Sequence, residues 1–347
     1  MARVAINGFG RIGRQSFKAL LERYGGDLDI VAINDLTDNA TLAHLLRYDT
    51  TYGVFNGRVS NTERGISVTY YDEDSEERQM DVLTFAEQEP ARLPWGAMGV
   101  DVVVEATGRF TDASEARGHL AAGAKKVIIT APAKGEDITI CLGVNERQYN
   151  PASHHVISSA SCTTTCLAPV AKVLNDRFGI RRGLMTTIHA YTTDQHLQDT
   201  VHKDLRLARA SAMNIIPTTT GATQAVELVL PALQGKFQGF AVRVPTATVS
   251  MVDFTVQLER ATSVAEINEV FREATEDEDL EGILGVSEEE LVSSDFIGTT
   301  YSSVIDLPLT AGVGQDLFKV VAWYDNEWGY SMRVADLTVF VADGFEG

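Results

Sequence analysis

Two features of this 347-residue chain bear on one chemistry. The first is a thiol, Cys162, set in Ser161-Cys162-Thr163-Thr164 between a strand-like run and an apolar stretch that reads as a helix. A helix N-terminus stabilises a thiolate, and so does a nearby imidazole. Taken alone, Cys162 also reads as a small buried thiol, the commonest fate of an unpaired cysteine. The second feature is Gly8, Gly10 and Gly13, a GxGxxG pattern directly after a strand-like run and before a helical one. There the first glycine permits a tight turn, the second lets backbone approach a pyrophosphate, and the third lets helix and strand pack closely. Asp35 lies 22 residues beyond Gly13, at the end of the next strand, where a carboxylate accepts from adenosine ribose hydroxyls. It also reads as a turn residue or helix cap. In the dinucleotide reading it repels a 2′-phosphate, which favours NAD over NADP. A thiolate beside a nicotinamide site can add to an aldehyde, pass hydride to NAD and keep the acyl group as a thioester. That chemistry needs a base, and histidine is the natural one. Of the seven histidines, His189 is preferred, because MTTIHAYTTDQ ends a strand-like run in a polar loop. His154, His155 and His202 lie in polar stretches that read as surface loops.

These groups need elements to hold them. Residues 3–7, the glycine turn, the periodic stretch Arg14 to Tyr24 and the strand Asp29 to Ile33 make one βαβ unit. Strand-like runs at Val100–Glu105 and Lys126–Ile129 flank a helical stretch, Ser114–Ala122. The alternation predicts a parallel α/β sheet over the first 150 or so residues. Beyond Val156–Ser159 the texture changes. The runs Phe240–Val244, Thr248–Gln257, Ser303–Asp306 and Phe318–Trp323 suit a mixed or antiparallel sheet in a second domain, and Val334–Val341 reads as a closing helix.

Composition narrows the function class. The length suits two domains and 44% apolar residues suffice for sizeable cores. No run of about 18 apolar residues indicates a membrane span, and the N-terminus lacks a secretory pattern, so the chain reads as cytoplasmic. Three cysteines make no disulfide framework, and Cys162 and Cys166 lack the partners of a zinc site. A formal charge of −19 argues against nucleic-acid binding. That charge reads either as an ordinary soluble surface or as adaptation to high salt.

The segments INGFGRIGR, SASCTTTCLAP, TTIHAYTTDQ, HKDLRLARA, IIPTTTGAT, VRVPTATVSMVDF and WYDNEWGYSMRV together resemble glyceraldehyde-3-phosphate dehydrogenases of the glycolytic type, in family order over essentially the whole chain. The resemblance implies a Rossmann-type NAD domain over residues 1–160, completed by a C-terminal helix at 332–347. It implies an α+β catalytic domain with a mixed, largely antiparallel sheet over 161–331. The implied reaction converts D-glyceraldehyde 3-phosphate, NAD and inorganic phosphate to 1,3-bisphosphoglycerate through a Cys162 thioester, with no metal. By position, Cys162 matches the nucleophile and His189 the base. Gly8, Gly10, Arg11, Ile12, Gly13, Asp35, Thr107, Thr130 and Asn326 match cofactor contacts. Ser161, Thr163, Thr220 and Gly221 match the pocket for attacking phosphate, Thr192, Asp194 and Arg243 the neighbourhood of the substrate C3-phosphate and the cofactor, and Arg206 is a further substrate or phosphate contact. The family is usually homotetrameric.

The chain departs from the family pattern at several points. Thr165 and Thr193 stand where Asn is common, and Leu207 follows Arg206 where many bacterial members carry a second Arg. One phosphate-binding guanidinium is then missing unless the backbone lets Arg206 or Arg209 substitute for it. Gln88 replaces an Arg, and Thr200-Val201 a Leu-Pro, leaving NADP exclusion to Asp35 and Leu36. Two other readings compete: an erythrose-4-phosphate dehydrogenase, and a non-catalytic binder of RNA or protein.

Overall fold

The computed structural model describes residues 1–71 and 76–344, in two compact units. One comprises residues 1–140 and 147–160 with the chain from Ser331 onward; the other comprises 141–146 and 161–330.

The first unit is built on a nine-stranded sheet. Its strands are β1 (Ala2–Asn7), β2 (Leu28–Asn34), β3 (Gly57–Asn61), β4 (Gly65–Tyr71), β5 (Glu77–Phe85), β6 (Val102–Glu105), β7 (Lys126–Ile129), β8 (Ile138–Thr139) and β9 (Val156–Ser158). They run in the order β8-β9-β7-β6-β1-β2-β5-β4-β3. From β8 to β5 every pairing is parallel. The continuous apolar runs of β1, β2, β6 and β7 explain this, since Val4, Ile6, Ile33, Val103 and Ile128 are all buried and such strands suit a sheet covered on both faces. The expectation of a parallel sheet misses the far edge, where β4 pairs antiparallel with both β5 and β3. Only the short link from Thr62 to Arg64 joins β3 to β4, and neighbours joined so tightly must be antiparallel.

Helix α1 (Arg11–Tyr24) connects β1 to β2. Gly8 has φ +90, and a Cβ there would lie 2.6 Å from the backbone nitrogen of Thr107. A Cβ on Gly13 would lie 2.0 Å from the Gly8 carbonyl oxygen. The turn therefore closes only without side chains at both positions. Register then places Asn7 opposite Glu105 on one side and Asn34 on the other, at the carboxyl ends of three adjacent strands. In open parallel sheets that end is where ligands bind.

The second unit holds helix α2 (Cys162–Phe178) against an eight-stranded sheet. Its strands are β10 (Ile180–Ala190), β11 (Ile216–Thr218), β12 (Phe237–Val244), β13 (Ser250–Leu258), β14 (Leu284–Ser287), β15 (Ser303–Asp306), β16 (Ala311–Val313) and β17 (Leu317–Tyr324). The order is β11-β12-β10-β13-β17-β15-β14, with β16 on β17. Only the β10–β12 and β14–β15 pairings are parallel, so the sheet is mixed and largely antiparallel. Strict alternation along β13 turns Val252, Phe254, Val256 and Leu258 inward, where they meet Val170, Leu174 and Phe178 of α2. Each such side chain contributes about 1.5–3 kcal/mol on burial, which fixes α2, and with it Cys162, on the sheet.

Gly13→Ala tests the close packing of α1 on the turn. The variant should lose about 1–3 kcal/mol of stability through overpacking, read by denaturant unfolding, and NAD binding should fall with it.

Candidate active site

Cys162 is the first residue of α2, and Ser161 is its N-cap, the Ser161 hydroxyl accepting the Thr164 N–H at 3.1 Å. The cap satisfies one amide of the first turn and leaves the partial positive end of the helix at the sulfur. His189, next to last in β10, places Nε2 3.5 Å from Cys162 Sγ. Two non-glycine residues adopt left-handed backbone directly before site residues: Ala160 (φ 59) before Ser161, and Val249 (φ 67) before Ser250. Such conformations cost about 1–3 kcal/mol each and persist where the surroundings over-determine them.

Nucleophile and base are cross-braced by a residue that sequence reasoning passed over. The hydroxyl of Tyr324 lies 2.9 Å from Thr163 Oγ1 and 2.8 Å from Thr187 Oγ1, linking the helix that carries Cys162 to the strand that carries His189. Its ring meets the His189 imidazole edge-on, with centroids 6.0 Å apart. The signal was present in the β17 alternation, which puts Tyr324 on the buried face with Phe318, Val320 and Ala322. A second brace runs from the Ala190 N–H to Ser250 Oγ at 3.1 Å, and from Ser250 Oγ to Asn326 Oδ1 at 2.8 Å. Asn326 is thereby tied to the end of the His189 strand.

Arg243 sits opposite His189 on β12. Its Nη1 lies 2.8 Å from His189 Nδ1 and 3.1 Å from the Ala190 carbonyl oxygen, which is itself 2.7 Å from Nδ1. Nδ1 therefore has two alternative partners. Donating to Ala190 O, it leaves Nε2 as an acceptor facing the thiol; accepting from Arg243, it makes Nε2–H a donor toward sulfur. Burial pushes the Cys162 thiol pKa up, while the Arg243 charge pulls it down. Burial, then the same Arg243 charge, lowers His189 to about 3. Burial thus favours the neutral form of both groups, while the Arg243 charge favours the thiolate and the neutral imidazole. Cys166, one turn further along α2, is fully buried on Ser303 Oγ and pushed far up by burial, so it has no thiolate character.

The other expected positions fall into groups. Thr163 stands in the Tyr324 brace. Thr192 Oγ1 donates to Asp194 in the loop after β10. Arg206 and Thr220 line a cavity of about 560 Å³ with Asp204, Thr218, Gln224 and Phe240, and Gly221 caps the helix that begins beside it. Cys162 and His189 are not among the residues lining that cavity. Between the two guanidinium candidates the structure separates cleanly: Arg209 is spent on Asp199 at 2.8 Å, whereas Arg206 faces the cavity. Thr165 uses its hydroxyl to donate to the Cys162 carbonyl at 2.9 Å, and Thr193 is exposed.

In the first unit, Asn7, Gly8, Gly10, Asn34, Asp35, Leu36, Gln88, Thr107 and Arg109 line a cleft of about 300 Å³. A Cβ on Gly10 would meet nothing within 4 Å, and the first turn of α1 carries neither a side-chain cap nor an acidic residue. That is open space over a helix N-terminus, which fits a pyrophosphate. Asp35 accepts the Phe9 N–H at 2.7 Å. Arg11 turns its side chain away onto Asp49 and the Tyr52 ring, so only its backbone and that of Ile12 belong to the turn. Thr130 donates to the Glu105 carbonyl. Among the described residues no group of three or more His, Cys, Asp or Glu side chains is arranged to hold a metal.

Replacing Arg243 by Met tests the shared cation. Its loss raises the Cys162 pKa and raises that of His189, so the pH profile of iodoacetamide alkylation at Cys162 should move to higher pH. An unmoved profile would show that burial alone sets the thiol.

Comparison with known proteins assigns these two units. Residues 2–113 match the family model described as the glyceraldehyde 3-phosphate dehydrogenase NAD binding domain, and residues 161–326 the one described as its C-terminal domain. Glyceraldehyde-3-phosphate dehydrogenase of Streptomyces coelicolor is 55% identical over 341 residues, 98% of each chain. Glyceraldehyde-3-phosphate dehydrogenase 1 of Bacillus cereus is 55% identical over 341 residues and the Geobacillus stearothermophilus enzyme 54% over 340, again 98% of each chain. With a dinucleotide cleft at the strand ends and a thiol–imidazole pair at a helix N-terminus, the chain belongs to the glyceraldehyde-3-phosphate dehydrogenase family of NAD-dependent oxidoreductases.

Proposed function

We propose that the protein oxidises D-glyceraldehyde 3-phosphate with NAD and inorganic phosphate, and that Cys162 carries the acyl group as a thioester. The observation that carries this reading is the 3.5 Å approach of His189 Nε2 to Cys162 Sγ at the start of α2. Cys162 attacks the aldehyde carbon while His189 Nε2 takes up the thiol proton. That proton passes to the aldehyde oxygen, which becomes the hydroxyl of the thiohemiacetal. His189 Nε2 then receives the hydroxyl proton back as the carbon becomes a thioester. Bound NAD supplies the hydride acceptor. Inorganic phosphate next attacks the thioester carbon, the Cys162 thiolate leaves and takes back the proton held on His189 Nε2, and the product is an acyl phosphate.

The base is weak at rest through burial first and then through Arg243. Its cation lowers both His189 and Cys162, favouring the thiolate and opposing an imidazolium. A substrate phosphate placed against Arg243 offsets that cation and raises the proton affinity of His189 as the aldehyde arrives. Ser161, Thr163, Thr192, Arg206, Thr220 and Gly221 serve as phosphate and substrate contacts, with hydroxyls, amides and one guanidinium suited to tetrahedral anions, and Asp194 holds the Thr192 hydroxyl among them. Gly8, Gly10 and the backbone of Arg11 and Ile12 hold the cofactor pyrophosphate on α1, with Gly13 closing the turn and Asp35 on the ribose. Thr107, Thr130 and Asn326 complete the cofactor contacts.

The division of labour follows the chain: an NAD-binding domain over 1–160 completed by the helix at 332–347, and a catalytic domain over 161–331. The last three residues of that helical span lie outside the described ones; the helix itself runs Trp328–Asp343. We further propose a cytoplasmic homotetramer. No helix among the described residues is long and apolar enough to cross a membrane. Leu197, Val201, Leu205, Met213 and Ile215 are exposed along one stretch of the second unit, and Leu184 on β10, and apolar side chains left bare in this way are what a subunit contact would cover.

Initial rates test the reaction. NADH formation from glyceraldehyde 3-phosphate should depend on added phosphate, and a phosphate-independent rate would instead point to thioester hydrolysis. Cys162→Ser should lower turnover by about a thousandfold or more while NAD still binds; retained turnover would exclude the thioester.

A further inference from the structure

The first unit contains a buried ionisable pair that the proposed reaction does not use. Glu105 ends β6, and His119 comes from the short helix Gly118–Ala121; both are essentially inaccessible. Glu105 is saturated with donors. Oε1 accepts the Thr107 N–H at 2.9 Å and the Thr107 hydroxyl, while Oε2 accepts Asn7 Nδ2–H and His119 Nε2–H, the latter at 3.0 Å. Trp95 Nε1–H, a donor only, points at His119 Nδ1 at 2.9 Å. Nδ1 must therefore be the acceptor, so the neutral imidazole carries its proton on Nε2 and presents it to Glu105.

This arrangement sets the direction of a longer chain. An ionised carboxylate only accepts, so Asn7 must turn Nδ2 to Glu105 and Oδ1 outward. Asn7 Oδ1 accepts Asn34 Nδ2–H at 2.7 Å, and Asn34 Oδ1 accepts the Glu87 N–H at 2.8 Å. The row crosses the carboxyl ends of β6, β1 and β2, and Asn7, Asn34, Glu87 and Thr107 all line the cleft. On the other flank the Thr107 hydroxyl, its proton committed to Glu105, accepts the Arg109 N–H at 3.0 Å.

The geometry points to the Trp95–His119–Glu105 relay as a positioning device for cofactor binding: it holds Asn7 and Thr107, and through them both walls of the cleft, in the orientation that receives NAD. The relay touches no reacting atom. It rests on the cleft being the dinucleotide site, as set out above.

Glu105→Gln tests it. The variant keeps size and shape but puts an NH2 group against donors, and mismatching one buried pair should weaken NAD by about tenfold or more. A calorimetric Kd and KM for NAD should both rise, with kcat at saturating NAD and the alkylation rate of Cys162 near the parent's. A merely structural role would instead lower the active fraction and leave KM unchanged, and that outcome overturns the proposal. Asn7→Asp added to Glu105→Gln reverses the link between positions 105 and 7 and keeps the one from Asn34. The carboxylate introduced at position 7 accepts from the amide introduced at position 105 and from Asn34. It also accepts from His119 Nε2, which already lies 3.3 Å from Asn7 Nδ2. The double variant should recover affinity toward the parent; affinity no better than Glu105→Gln alone overturns the relay. Trp95→Phe removes the indole donor, and ring volume with it, and stands in where Glu105→Gln does not accumulate: it should raise Kd and KM for NAD with kcat at saturating NAD near the parent's, and parental affinity overturns the proposal. Asp35→Ala run alongside separates the two readings. If it and Glu105→Gln both leave Kd unchanged, the cleft assignment falls and takes the proposal with it. If Asp35→Ala alone weakens NAD, only the relay is refuted.

Discussion

The 3.5 Å contact between Cys162 Sγ and His189 Nε2 depends on three segments that are far apart in the chain. Helix α2 supplies the sulfur, β10 the imidazole, and β17 the phenol that ties them together through Thr163 and Thr187. The helix arrives by apolar packing and the two strands by pairing to a common neighbour. The apolar side chains of α2 lock it on the sheet, antiparallel pairing sets β10 against β13, and β13 in turn pairs with β17. The left-handed residues Ala160 and Val249 show where this convergence is held against local backbone preference. Two segments are bent to bring Ser161 and Ser250 to the places the site requires.

Charge at the site is economised. Among the described residues of the second unit the carboxylate with a resolved influence on His189 is Asp194, and it is outweighed by burial and by Arg243. Burial is the larger influence on both groups and moves them in opposite directions, while one guanidinium pulls the proton affinities of nucleophile and base down together. A single incoming anion can then change both, which couples the chemistry to the arrival of a phosphorylated substrate. Of the positions that depart from the family pattern, Thr165 is absorbed into the first turn of the nucleophile helix by bonding the Cys162 carbonyl. Leu207 leaves Arg206 as the guanidinium facing the neighbouring cavity.

The first unit solves its own positioning problem with buried polar groups instead of apolar ones. Parallel strands end in step, so Glu105, Asn7 and Asn34 form a row by register alone. Inside the protein such a row is costly unless every donor meets an acceptor. With Glu105 as its acceptor-only end and Trp95 fixing the tautomer of His119, each member has one satisfied orientation.

The sequence by itself determined the local units: the glycine turn with Asp35 beyond it, a thiol at a helix start, a histidine at a strand end, and alternation strong enough to mark the second sheet. These are legible because they follow from short-range sterics and from the periodicity of burial, both written in neighbouring residues. The antiparallel edge of the first sheet was not read, since its strands are half-exposed and their alternation is weak. Nor was the role of Tyr324, which lies 162 residues beyond the cysteine it braces, or of His119, one of seven histidines with nothing local to mark it. Which guanidinium faces the cavity, which nitrogen of His119 carries the proton, and how Arg243 biases thiol and imidazole were decided only by tertiary structure. Each depends on the distance between groups remote in the chain, and through-space electrostatics and hydrogen-bond direction exist only once the fold has set those distances.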